Sequence, residues 1–389
     1  MSYNVLNFPM GFMPDRQDTL KKILDYVQPD ILLIQELRNA YGLELILEES
    51  FADVPGAHKS STFIPLQSNQ NSDFALQQAI VYDTLVFGMA EERLKTTPTR
   101  DINIHKMFFK EENLSVTQDT SFLYIFNTHL KSSQGENNEQ LRLAAAQIFV
   151  NELANLDPDI PILFGGDFNL YTSDEPAYQL LLDEENAIQM EDPINAPGNW
   201  TSSSYPFKQI LTQSTRFSQI YDDGAGGGLD DRFDFVLASS NLLDGSGPVS
   251  LDPSTYVALS NNGTCYNQNI TQCIEDNDVP SEIIWALYYM SDHLPVVFDL
   301  ELDFTLGTEN SPAKADVAIL QYGNAIMLGG KQNEGLWRIQ LYDLNGRMLD
   351  AWNRSTGNMI RLDQFETGIY VVLAENDKGE RVTRKLLLQ

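Results

Sequence analysis

Asp167 and Asn169 stand two residues apart in the stretch Ile160-Pro161-Ile162-Leu163-Phe164-Gly165-Gly166-Asp167-Phe168-Asn169-Leu170. Five residues that are apolar or Pro read as a buried strand, and the two glycines let the chain turn sharply and leave space beside it. Residues two apart in an extended segment face the same side. A carboxylate and an amide presented together where a strand stops suit a phosphate or a metal ion. The plain alternative is an Asx-type turn that closes the strand. Other strand ends weigh on the choice: Asn4, Glu36, Asn127 with His129, Asp234, and Asp292-His293. Each has a bland explanation of its own. Asn4 suits a turn, Glu36 and His129 suit a surface, and Asp234 suits an ion pair with Arg232 or another base. Gathered at the strand ends of one α/β domain they suit a ligand site, because ligands in such folds collect there.

Periodicity gives the elements that must position these residues. A strand over Tyr3 to Phe8 is followed by a helix with Leu20, Ile23, Leu24 and Val27 on one face, capped by Asp15. Ile31 to Ile34 is a buried strand ending at Gln35-Glu36, and a helix is expected over Tyr41 to Glu49. Ala79 to Tyr82 and Leu85 to Met89 read as a hairpin around Asp83-Thr84. Strands over Ile102 to Phe109 and Phe122 to Phe126 come next, the second running into Asn127-Thr128-His129-Leu130-Lys131. A helix from about Glu139 to Leu156 leads back to the opening stretch. A short helix near Pro176 to Asp183, a strand over Asp230 to Leu237, a long loop from Asn241 to Glu282 and a last strand over Val296 to Leu302 complete this part. The expected domains are a catalytic α/β domain over 1–303, a linker over 304–318 and an all-β sandwich over 319–389. The last part shows short strands between turns such as Asp343-Leu344-Asn345-Gly346 and Asn376 to Gly379.

The chain has 389 residues with 55 acidic against 25 basic ones, a formal net charge of −30. Residues 319–389 carry nine Lys and Arg against eight Asp and Glu, so the acidic excess belongs to the first part. Such a charge opposes free binding to polyanions unless divalent metal ions neutralise the site. No apolar run approaches the ~20 residues of a membrane helix. The start, Met1-Ser2-Tyr3-Asn4-Val5-Leu6, already reads as a strand and not as a secretory leader. That leaves a protein that is not secreted or a processed form. Cys265 and Cys273 suit a small disulfide-closed loop in an oxidising compartment and free thiols in a cytosol.

In combination, Tyr3-Asn4-Val5, Gln35-Glu36, Asn127-Thr128-His129, Gly166-Asp167-Phe168-Asn169, Arg232-Phe233-Asp234-Phe235 and Ser291-Asp292-His293-Leu294-Pro295 resemble the ordered motifs of the endonuclease/exonuclease/phosphatase superfamily, the deoxyribonuclease I-like fold. The resemblance implies a four-layer sandwich, two packed β-sheets with helices outside, and metal-assisted attack of water on a phosphoester. It implies Mg²⁺, with Mn²⁺ or Ca²⁺ as alternatives, near Glu36, Asn4 and Asp292. His293 becomes the general base or a phosphate-polarising group, and Asp234 orients its ring. Asp167 orients or activates the water, while Asn169 and His129 donate to the phosphate oxygens. Asn127 and Arg100 are expected on the substrate. Leu6 stands where the family often has an acid, which puts a second metal in doubt.

Leu341 to Arg347, Thr367-Gly368-Ile369-Tyr370 and Arg384-Lys385-Leu386 look like the C-terminal sorting domain of Bacteroidetes type IX secretion. This implies export to the cell surface or medium through that machinery. The expectation is therefore a secreted, monomeric nuclease with nucleic acid as substrate. Its rivals are a sphingomyelinase-like phosphodiesterase and, from another class, a surface-binding protein on an inactive catalytic fold.

Overall fold

The computed structural model describes residues 1–11, 13–68, 75–110, 121–201, 204–221, 223–245, 247–302, 317–322, 324–330, 336–343, 347–355, 358–365, 367–376 and 381–388. The expected linker lies outside them as far as residue 316, as do residues 344–346 and 377–379 of the two expected turns. The chain divides into two compact units, Met1–Thr305 and Leu306–Gln389. Among the described residues no helix is long and apolar enough to cross a membrane.

The strands of the first unit are β1 (Ser2–Phe8), β2 (Ile31–Leu37), β3 (His58–Ser60), β4 (Gln77–Asp83), β5 (Phe87–Lys95), β6 (Ile102–Phe109) and β7 (Phe122–His129). They continue with β8 (Ile162–Asp167), β9 (Met190–Glu191), β10 (Asp234–Ser239), β11 (Val249–Leu251), β12 (Val257–Ala258), β13 (Val296–Val297) and β14 (Leu300–Leu302). One sheet has the order β12-β13-β1-β2-β4-β3 and the other β5-β6-β7-β8-β10-β9. In each sheet one central pair is parallel, β1 with β2 and β7 with β8. The two sheets pack face to face on Leu33, Ile80, Met107, Ile125, Leu163 and Val236. Helices Arg16–Val27 and Ser281–Met290 cover the outer face of the first sheet through Leu20, Leu24, Ile284 and Leu287. Helices Glu136–Leu153 and Pro176–Leu181 cover the second through Ala145, Phe149, Leu153 and Leu181. This is the four-layer α/β sandwich the motifs imply. In its outer layer Phe149 stacks on Phe164 at 3.9 Å, a contact of the kind that contributes about 0.5–1.5 kcal/mol beyond burial.

Several local expectations change. Residues 79–89 do not form a hairpin: β4 pairs with β2 and β3, β5 with β6, and the Asp83 turn carries the chain from one sheet to the other. Asp83 holds that crossing by accepting from the amides of Ala57 and Leu85. The last strand is broken, β13 joining β1 and β12 while β14 joins β11. Asp15 makes no side-chain cap; its backbone carbonyl takes the Asp18 and Thr19 amides instead. Arg232 pairs with Asp192, at 2.8 and 2.9 Å, and not with Asp234. The loop after residue 241 gives way to the helix Ser281–Met290, and Cys265 and Cys273 are disulfide-bonded.

The described residues of the second unit form only strands and turns. A three-stranded sheet, β15 (Val317–Tyr322), β16 (Ala325–Gly330) and β19 (Met359–Arg361), shares a core with a four-stranded one. The latter comprises β17 (Trp337–Tyr342), β18 (Met348–Arg354), β20 (Gly368–Asn376) and β21 (Arg381–Leu388). Ile326, Leu328, Trp337, Leu341, Val372 and Leu386 fill that core.

Candidate active site

Three neighbouring strands of the second sheet bring His129, Asp167 and Asp234 side by side. Asp167 is the register partner of His129 on the parallel side and of Asp234 on the antiparallel side. Gly166 makes that approach feasible. Its φ is +140°, and a Cβ there would lie 1.9 Å from the Thr128 carbonyl oxygen, so no larger residue fits. The first sheet supplies Asn4 and Glu36, each beside an irregularity in the β1–β2 pairing that breaks strict alternation. Leu6, Asn7, Glu36 and Asn169 all have φ between +44° and +64°. Left-handed backbone at four residues without glycine costs free energy at each, and such strain persists where surrounding contacts over-determine it.

The two carboxylate oxygens of Asp167 are used differently. Its Oδ1 accepts from the Asn169 amide at 3.0 Å, which is the Asx turn. Its Oδ2 faces inward, 3.0 Å from Asn4 Nδ2, 3.4 Å from His129 Nε2 and 3.7 Å from His293 Nε2. Burial, with Asp234 and Glu36 nearby, pushes the Asp167 pKa up to about 7 against the opposing pull of His293. Burial and then Asp292 raise that of Glu36. Asn4 Nδ2 also donates to Glu36 at 3.1 Å, while its Oδ1 accepts the Leu6 amide at 3.0 Å. The Leu6 N–H fixes the orientation of the Asn4 amide. Asn4 therefore presents a donor to the two carboxylates.

His293 Nδ1 lies 2.7 Å from Asp234 Oδ2. The Asp234 and Phe233 amides both rest on Thr212 Oγ1 at 3.1 Å, which anchors the acid. Burial alone would lower the His293 pKa; the carboxylates of Asp234, Asp292 and Asp167 outweigh it and hold it well above its ordinary value. The ring is thus a strong base. On its other side, His293 Nε2 lies 2.7 Å from Gln213 Nε2 and 3.4 Å from Asn4 Nδ2. His129 is the opposite case, held well below its ordinary value by burial and by Arg100.

Glu36, His129, Asp167, Gln213 and His293 line an open cleft of about 360 Å³, together with Arg100, Asn169, Tyr171, Ser132 and Ser133. Arg100 donates to the Leu130 carbonyl at 2.9 Å and faces Glu36 and Asp167. Asn127 is not in the cleft, which corrects its expected place on the substrate. It is fully buried between the sheets, donating to the carbonyls of Ile34 and Ala79 and accepting from Gln35 Nε2, and no amide hydrogen is left over. Gln213 was not anticipated. It sits in a loop with no motif around it, and only the tertiary fold brings it to Asp292 and His293.

The ligand atoms of Glu36, His129 and Asp167 lie within 4.8 Å of one another. His129 Nδ1 is buried without a hydrogen-bond partner, 4.0 Å from Glu36 Oε1. A buried and a partly buried carboxylate and an imidazole with an unpartnered nitrogen fit a divalent cation, the carboxylate oxygens being the hard donors. Asp292 stands outside this group. Its Oδ2 takes the Ala225 amide at 2.6 Å and Gln213 at 3.1 Å, and its Oδ1 is buried without a partner.

The endonuclease/exonuclease/phosphatase family profile matches residues 1–293. The chain belongs to that family and is a hydrolase of phosphate esters. Solved structures similar to it include the endonuclease/exonuclease/phosphatase from Bacteroides vulgatus, at 14% identity over 77% of this chain and 97% of that one, with a TM-score of 0.47. The family protein from Beutenbergia cavernae is 13% identical over 100% of this chain and 98% of its own, with a TM-score of 0.46. The human Nocturnin catalytic domain is 15% identical over 77% and 92%, with a TM-score of 0.45. No curated protein matches the chain.

Proposed function

We propose that the chain is an exported, Mg²⁺-dependent phosphodiesterase that cleaves nucleic acid. The observation that carries this reading is His293, held at 2.7 Å by the buried Asp234 and set beside the Glu36, His129 and Asp167 group in one open cleft. In its neutral form His293 takes a proton from the attacking water at Nε2, and Asp234 orients the ring through Nδ1. The water oxygen bonds to phosphorus, the ester P–O bond breaks, and the leaving oxygen takes a proton from solvent. Arg100, Asn169 and the neutral His129 face the place where charge builds on the phosphate oxygens. Glu36 and Asp167 would hold the metal with His129 beside them; when bound, it supplies Lewis-acid polarisation of the phosphate and neutralises the acidic cleft.

An open groove suits a polymer, and the family's own description includes endonucleases and exonucleases. The net charge of −30 favours single strands or short substrates over tight duplex binding. Export is supported by the Cys265–Cys273 disulfide, which persists in oxidising compartments, and by the separate all-β unit carrying the sorting-domain motifs. A second reading, a phosphodiesterase acting at a lipid surface, has one observation in its favour: Tyr221, Trp285 and Tyr289 are exposed large aromatics in the same unit. The test is hydrolysis of plasmid DNA, RNA, sphingomyelin and bis-p-nitrophenyl phosphate, with Mg²⁺ and with EDTA. Cleavage of DNA or RNA supports the proposal, sphingomyelin alone supports the second reading, and no hydrolysis removes both. Mass spectrometry of culture medium and cell surface tests export.

A further inference from the structure

One wall of the cleft is braced from behind by a buried ion pair. Arg142, fully buried, donates from Nε to Glu175 Oε2 at 2.7 Å and from one terminal nitrogen to the carbonyls of Lys131 and Ser133 at 2.8 and 3.1 Å. The other oxygen of the buried Glu175 accepts the Tyr171 amide at 2.8 Å. The Tyr171 carbonyl accepts the amide of the buried Trp200 at 3.0 Å, and a backbone hydrogen bond ties the Tyr171 hydroxyl to Ser133. Segments 131–133 and 171–175 are thus joined through one carboxylate–guanidinium pair, and Tyr171 is held at its backbone and at the tip of its side chain. Such support fixes a ring to the tolerance that recognition needs.

Tyr171 lines the cleft together with Asn169, Ser132 and Ser133 and is partly exposed. Phe233, which packs edge to face with it at 5.0 Å, also lines the cleft but is buried. Of these two rings, Tyr171 is therefore the one open to a ligand. It stands two residues after Asn169, so about 7 Å of chain at most separates it from that phosphate donor. This is the scale of the distance between a nucleotide's phosphate and its base. Ser132, Ser133 and Asn169 are uncharged and suit the donors and acceptors on a base edge. One open ring is enough to stack a base face, whereas a quaternary ammonium headgroup is held by a cage of several rings.

We propose that Tyr171 is a specificity-determining residue, a stacking platform for the base of the nucleotide next to the scissile phosphate. This inference rests on the nucleic-acid reading of the cleft and adds to it the place where a base is gripped. Every base offers a π face, so the contact selects nucleic acid over phosphoesters that lack a ring without selecting one base. In a duplex those faces are covered by neighbouring bases, so the subsite favours single strands. Stacking engages the base and not the phosphate, and the net charge of −30 does not oppose it.

The experiment compares cleavage of two single-stranded decamers with Mg²⁺, one of thymidine and one with the same phosphates but a tetrahydrofuran in place of every nucleoside. Wild type is expected to favour the thymidine strand in kcat/KM by about 5- to 150-fold, the range that one base–aromatic stack covers. Tyr171→Leu should bring that ratio to within about threefold of unity, and Tyr171→Phe, which keeps the ring, should retain it. Equal cleavage by wild type, an unchanged ratio in folded Tyr171→Leu, or a ratio lost in folded Tyr171→Phe overturns the inference. The second readout needs neither cleavage nor a change at Tyr171. A 5-iododeoxyuridine decamer is photo-cross-linked to His293→Ala protein with Mg²⁺, and the linked residue is found by mass spectrometry. A cross-link at Tyr171 is expected; none, or cross-links confined to other residues, overturns the inference. This readout decides should Tyr171→Leu fail to fold. Equal cleavage of the two decamers leaves the nucleic-acid reading standing and removes only the inference. Cleavage of neither removes that reading, and the cross-link alone then decides whether Tyr171 stacks a base.

Discussion

Asp234→Asn isolates what the acid gives to His293. The substitution keeps the shape of a side chain that is 1% exposed, and the Asp234 amide keeps its bond to Thr212 Oγ1. A carboxylate only accepts, so it forces the ring proton onto Nδ1; an Asn amide also donates, and so admits the wrong tautomer. A hydrogen bond to a charged group contributes about 1.5–3 kcal/mol. If that is lost only in the transition state, kcat falls roughly 10- to 150-fold. Asp234 does not line the cleft, so KM should move less than about threefold. The assay is steady-state hydrolysis of bis-p-nitrophenyl phosphate with Mg²⁺, alongside thermal melting to show that the variant folds. A folded variant with wild-type kcat, or a loss confined to KM, would refute the assignment of Asp234 to His293.

Three further outcomes concern the scaffold. Gly166→Ala should destabilise the first unit by about 3 kcal/mol or more, since its methyl group would overlap the Thr128 carbonyl; urea unfolding reads this, and a wild-type midpoint would refute it. Asp192→Asn should cost about 3–5 kcal/mol by leaving the buried Arg232 charge without its partner, again read by urea unfolding. His105 is buried with neither ring nitrogen hydrogen-bonded, and burial pushes its pKa down to about 4. The unfolded chain protonates this ring near pH 6.5 and the folded chain only near 4, so stability should fall as pH drops through that window, by about 3 kcal/mol in all, and level off below it. His105→Leu should flatten that part of the profile; an unchanged slope would contradict the account.

Much of the site was legible because its residues follow apolar runs short enough to be strands. Glu36, His129 and Asp167 each end such a run, while Asp234 begins one and His293 stands just before another, so the fold needed only to align them. Asn127 shows the limit of that logic. It too sits near a strand end, yet its side chain points between the sheets and bridges them. Gln213 was invisible for the opposite reason, since its role depends on bonds to segments some 15 and 80 residues away. The helix Ser281–Met290 is apolar on nearly every side, and Glu282 is its only charge, so it shows little of the two-faced pattern that marks a surface helix. The β4-to-β5 crossing looked like a hairpin because turn chemistry at Asp83 is the same whether a chain stays in one sheet or changes to the other.

The central claim is that the Asp234–His293 pair and the adjoining acidic group hydrolyse phosphodiesters with a divalent ion. The most direct measurement is kcat/KM for bis-p-nitrophenyl phosphate, for wild type and His293→Ala, with Mg²⁺ and after EDTA. The account expects turnover by wild type with Mg²⁺, its loss in EDTA with recovery on adding Mg²⁺ back, and a drop of about 100-fold or more in folded His293→Ala. Turnover that survives both EDTA and His293→Ala would contradict it.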